Sequence, residues 1–163
     1  IAYVTKTGTT QGIAEEIGRV AAEHGIVADV LPLSAVASPE GYGAVVIGAP
    51  INGMQWVPEA GAFVEKHRDA LLKVPTAYFF VSYLMNVGAP LWQKTIRKSL
   101  DKVSALVPPV KTAGFPGRVD KAFPGFARLL FGLKKGIPID LVDLEAVREW
   151  AEEYVREMVD GRQ

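Results

Sequence analysis

The sequence has no cysteine and only two histidines, His24 and His67. Without thiols there are no disulfides, no Cys-held zinc, no iron–sulfur cluster and no thiol nucleophile. Neither histidine falls in a loop with other ligand-type residues, so no metal site and no His-based catalytic dyad is expected. Net charge is absent as well: 18 Lys and Arg balance 18 Asp and Glu over 163 residues. A duplex nucleic-acid binder would carry a basic excess, so no nucleic-acid partner is expected. No apolar run reaches about 18 residues, so no membrane-spanning helix is expected. No charged stretch followed by an apolar run marks a secretory leader. A cytoplasmic protein is the expectation. What is present is ordinary globular material, 49% hydrophobic and 22% charged, enough for one domain with a sizeable core.

Short apolar runs alternate with segments of helical period. Ile1–Thr5, Val27–Leu33, Ala44–Gly48, Thr76–Tyr83 and Val110–Phe115 read as strands. Pro32 places the second at an edge. Between them, Gln11–His24 puts Ile13, Ile17, Val20 and Ala21 on one helix face. Pro58 opens a helix to about Leu72, and Pro90 opens another to about Leu106. Asp143 caps a last helix with Val147, Trp150, Ala151, Tyr154, Val155 and Met158 as its apolar stripe. Strands alternating with helices imply right-handed βαβ crossovers. The fold class is therefore α/β: a doubly wound, five-stranded parallel sheet with helices on both faces.

One segment departs from the alternation. Residues 118–138 lie where a short connection would serve. They interleave Phe123, Phe126, Leu129, Leu130, Phe131 and Leu133 with five basic residues and one acid, a net charge of +4. They read as an insertion in a single domain spanning 1–163. Two readings stand side by side: an amphipathic element lying on an anionic membrane face, or a basic lid over the sheet end.

In an open parallel sheet, ligands bind beyond the carboxyl ends of the strands, at the switch in strand order. The loop after the first strand is Thr5-Lys6-Thr7-Gly8-Thr9-Thr10. Its hydroxyls and the helix-start amides suit a phosphate, and Gly8 lets the backbone curl around it. An ordinary turn with a threonine cap is the plainer reading. Competing motifs are missing. There is no G-x-G-x-x-G and no acid closing the second strand, which argues against a nicotinamide site. There is no G-x-x-x-x-G-K-[ST], which excludes a P-loop NTPase.

The stretch V-T-K-T-G-T-T-Q-G-I-A-E-E-I resembles the phosphate loop and first helix of flavodoxins, which bind flavin mononucleotide (FMN). Val46–Trp56 is similar to their loop after the third strand. Phe63–His67 and Phe79–Tyr83, with the insertion before the last helix, resemble the quinone-dependent protoporphyrinogen dehydrogenase branch of that family. The resemblance implies that Thr5, Lys6, Thr7, Gly8, Thr9 and Thr10 hold the FMN phosphate. It implies that Pro50, Ile51, Asn52, Gly53, Met54, Gln55 and Trp56 lie on one side of the isoalloxazine. Ser82, Tyr83, Leu84, Met85 and Asn86 would lie on the other. Trp56 and Met54 suit one wall, Tyr83 and Met85 the other. Trp56 equally suits packing under the next helix, Lys6 equally suits solvent, and His67 is expected to be exposed.

No side chain need act as acid or base, because the flavin carries the chemistry. The function this supports is an FMN oxidoreductase, with a quinone-linked protoporphyrinogen dehydrogenase as its sharpest form. It would have peripheral contact with the inner membrane face through 118–138. The rival is a soluble carrier between protein partners. The candidate loops contain no acid, which favours an anionic reduced flavin and a potential less negative than in acidic-rim carriers.

Overall fold

A computed structural model describes residues 1–87, 90–118, 126, 129 and 140–160, the side chains of residues 86, 87 and 160 excepted. The strands are β1 (Ala2–Tyr3), β2 (Leu31–Pro32), β3 (Val45–Asn52), β4 (Gln55–Trp56), β5 (Thr76–Val81) and β6 (Lys111–Phe115). The sheet runs β2-β1-β3-β5-β6, and all of those pairings are parallel. The five expected parallel strands are therefore present. The order reverses between β1 and β3, which opens a crevice above their carboxyl ends.

Differences from the sequence reading lie at the edges. The expected strand 27–33 pairs only at Leu31–Pro32, because it has one neighbour, Pro32 has no N–H to give, and Val27 is 97% exposed. β4 was not foreseen. It pairs antiparallel with the end of β3, joined by Gly53 (φ 56°) and Met54 (φ 64°). Two central residues with positive φ make a type I′ hairpin turn, whose twist matches the strands.

Helices α1 (Thr9–Glu23) and α7 (Leu144–Asp160) cover one face of the sheet. Their stripes, Ile13, Ile17 and Val20 with Val147, Trp150 and Tyr154, pack on Val46, Phe79, Val81 and Phe115. Trp150 and Tyr154 stack at 5.7 Å between ring centroids, and the Tyr154 hydroxyl donates to the Pro75 carbonyl at 3.1 Å. Arg148 ties the two helices by reaching Glu16 at 2.7 Å and Glu23 at 2.5 Å.

The other face carries α2 (Pro58–Lys66), α3 (Arg68–Leu71), α4 (Leu84–Val87), α5 (Pro90–Arg97) and α6 (Asp101–Leu106). The expected helix 58–72 is thus broken at His67. That residue is half-buried against the Phe63 ring, at 4.5 Å, rather than exposed. Its Nε2 is buried with no hydrogen-bond partner among the described residues. Burial, with Lys66 beside it, pushes its pKa below the ordinary value. The expected helix 90–106 likewise divides, through a tighter turn at Lys98–Leu100.

Two glycines make room for the aromatic ring of the residue paired with them on the neighbouring strand. A Cβ on Gly48 would lie 1.9 Å from the Phe79 ring, and one on Gly114 would lie 2.3 Å from the Phe80 ring. No described helix is long and apolar enough to cross a membrane. Of the insertion 118–138, only Arg118, Phe126 and Leu129 are described, and both apolar residues are exposed. The membrane and lid readings therefore lie outside the described residues.

Candidate functional site

A cleft of about 370 Å³ opens over the switch point, within the range of small-molecule sites. Its first wall is the loop after β1. Gly8 adopts φ 81° and its N–H donates to the Thr5 hydroxyl at 3.0 Å, which closes the turn. The Gly12 N–H returns to the Gly8 carbonyl, so α1 starts directly behind it. Helix geometry leaves the amides of Thr9, Thr10 and Gln11 without intrahelical acceptors. Thr9 and Thr10 are buried at that start, and the Thr7 and Thr9 hydroxyls lie 3.3 Å apart. No acid occupies the first turn of α1. Hydroxyls, free amides and the positive helix end meet in one place, a setting that favours an oxyanion.

The second wall is the end of β3 and its hairpin. Pro50, Ile51, Asn52, Gly53 and Met54 line the cleft there. The third is the β5 end. The Ser82 hydroxyl accepts from the Leu84 N–H at 3.3 Å, and this turn sets Tyr83 and Leu84 against the cavity. Ile51, Met54, Tyr83 and Leu84 supply apolar surface, and no carboxylate lines the cleft among the described residues.

The structure thus brings Lys6, Thr7, Thr9, Thr10, Pro50, Ile51, Asn52, Gly53, Met54, Ser82, Tyr83 and Leu84 together. The other expected residues are not among those lining the cleft. Thr5 and Gly8 shape the turn behind the cleft wall. Gln55 is exposed on the hairpin, outside the lining. Trp56 does not line the cleft. It is 6% exposed and packs on Tyr78 at 5.5 Å between centroids, because β4 returns the chain toward the core. Its Nε1 has no hydrogen-bond partner among the described residues. Met85 is 2% exposed in the same core, drawn in by the turn at Ser82. The Asn86 side chain lies outside the described residues. Conversely, Val81, Gly117 and Arg118 line the cleft without having been expected there. The signal for the last two was their position directly after the fifth strand.

The strand order and cleft define a doubly wound α/β protein whose ligand site sits at the β1/β3 switch point. The chain belongs to the flavodoxin domain family, whose family model matches residues 1–128. The protoporphyrinogen IX dehydrogenase [quinone] of Escherichia coli K12 is 34% identical over 84 residues, covering 50% of this chain and 46% of that protein. The chain thus matches about half the length of this curated relative. Among solved structures, an archaeal flavodoxin superposes with TM-score 0.60 at 16% identity, covering 97% of this chain and 96% of its own. A Fusobacterium nucleatum flavodoxin variant bound to flavin mononucleotide gives TM-score 0.50 at 16% identity, covering 98% and 94%.

Proposed function

We propose that this chain binds FMN in the switch-point cleft and passes reducing equivalents from an organic donor to a quinone. The observation that carries this reading is the division of the cleft. One end offers the amides and hydroxyls of Thr7, Thr9 and Thr10, suited to a phosphate. The other offers Ile51, Met54, Tyr83 and Leu84, suited to a flat apolar ring. When bound, FMN supplies the electron and hydride chemistry. The chain's share is to hold the phosphate at the α1 start, clamp the ring between the hairpin and the β5 turn, and exclude water from the ring's inner face. Lys6 and Arg118, with no carboxylate among the described lining residues, favour negative charge on the ring.

The partial match to a quinone-dependent protoporphyrinogen IX dehydrogenase supports that substrate class. The test is purification with added FMN, an absorbance spectrum, and turnover of protoporphyrinogen IX with a menaquinone analogue. A flavin spectrum with quinone-dependent porphyrin formation is the expected result. A flavin spectrum with no such turnover would leave the electron-carrier reading. Absence of FMN binding would remove both. Binding at the α1 start predicts that Thr10→Ala weakens FMN about tenfold and leaves riboflavin unchanged.

A further inference from the structure

Arg118 reaches the cleft by a built route. The Phe115 carbonyl accepts the Ser82 N–H at 3.0 Å, which carries the β5–β6 ladder up to the cleft floor. A Cβ on Gly117 would lie 2.8 Å from Val81 Cγ1, so glycine lets the backbone pass this close to the β5 end. Arg118 then forms an isolated antiparallel bridge with Asp140, across the insertion. Its Nε donates to Asp140 Oδ2 at 2.6 Å, and Asp140 Oδ1 accepts the Val142 N–H at 3.2 Å. The carboxylate that holds the arginine is therefore itself held by the backbone. Asp140 is not part of the cleft lining, whereas Arg118 is. Among the described residues Arg118 is engaged through Nε alone, and a guanidinium held that way has terminal N–H donors to offer a second partner.

We propose that Arg118 is an oxyanion-recognition residue of this cleft and that Asp140 is its positioning residue. The inference rests on the flavin-binding reading above. The oxyanion is either the phosphate of the flavin nucleotide or a carboxylate on an organic substrate beside the flavin. Both present paired oxygens that an arginine fork takes in two charge-assisted bonds, which a lysine cannot reproduce.

The test measures binding rather than turnover. FMN and riboflavin are titrated into the wild type, Arg118→Gln, Arg118→Lys and Asp140→Asn, with thermal unfolding as the folding control. The FMN-loaded proteins are then titrated with protoporphyrin IX and with its dimethyl ester. If the phosphate is the partner, Arg118→Gln weakens FMN about tenfold and leaves riboflavin within twofold. If a carboxylate is the partner, FMN is unchanged, protoporphyrin IX weakens about tenfold and the ester does not. In either case Arg118→Lys falls between. Asp140→Asn weakens the same ligand but adds nothing in the Arg118→Gln background, as expected of a residue acting only through Arg118. Wild-type FMN binding together with unchanged FMN affinity and no Arg118-dependent porphyrin binding overturns the proposal alone. Failure of the wild type to bind FMN overturns it together with the functional reading.

Discussion

Adding one carboxylate to the cleft tests the electrostatic half of the functional reading. Asn52 lines the cleft on the β3–β4 hairpin and is exposed there. Asn52→Asp keeps the shape and adds one negative charge to a lining that has none among the described residues. Reduction of a bound flavin to its anionic form would then work against that charge. Two unit charges about 8 Å apart interact by about 2 kcal/mol at an effective dielectric of about 20. Exposure of the side chain screens this to about 1 kcal/mol or less. One kcal/mol corresponds to about 43 mV for a one-electron couple and half that for two electrons, so the midpoint should fall by about 20–40 mV. Reductive titration against reference dyes measures it. Gln55→Glu is the control, since Gln55 sits on the same hairpin but outside the lining. The shift should shrink in 1 M salt, where the screening length is about 3 Å. No shift, or an equal shift in Gln55→Glu, would refute the claim that the lining's charge sets the potential.

Three further outcomes follow from the same geometry. Gly48→Ala should cost about 1–3 kcal/mol or more in urea unfolding, because its Cβ would sit 1.9 Å from the Phe79 ring; adding Phe79→Leu should recover part of the loss. His67 titrates below its ordinary value of 6.5, so below that pH the unfolded chain binds more protons than the folded one. Stability should therefore be full above about pH 6.5 and fall as the pH drops through the lower folded value, and His67→Phe, which keeps a ring beside Phe63, should flatten the slope between pH 7 and 5. Met54, at φ 64° in a position glycine prefers, also lines the cleft. Met54→Gly should change stability by no more than about 1 kcal/mol yet weaken FMN measurably by calorimetry, and equal losses in both would count against Met54 as a wall.

Much of the fold was legible because the information is local. Val45–Gly48 and Thr76–Val81 are apolar on both faces, which only a covered strand tolerates. The α7 stripe of Val147, Trp150 and Tyr154 recurs at helical spacing, and those side chains do meet the sheet. The break at His67 was hidden, because the surrounding pattern of Phe63, Val64 and Leu71 stays helical through it. The β4 hairpin was hidden too, since two residues of strand leave no period to count.

By itself, then, the sequence determined the alternation of elements, the parallel sheet and the turn that curls at Gly8, all of which depend on residues close together in the chain. Which side chains face the cleft was decided by tertiary structure. Trp56 and Met54 lie two residues apart, yet one is sealed against Tyr78 while the other lines the cavity. That division comes from antiparallel pairing with Ile51 and Asn52, not from residue type. Arg118 reaches the cleft only because β6 lies beside β5, Gly117 has no side chain to strike Val81, and Asp140 waits across the insertion. Contacts between residues far apart in sequence depend on strand order and register, and a periodic pattern of apolar residues is the same whichever neighbour a strand finds.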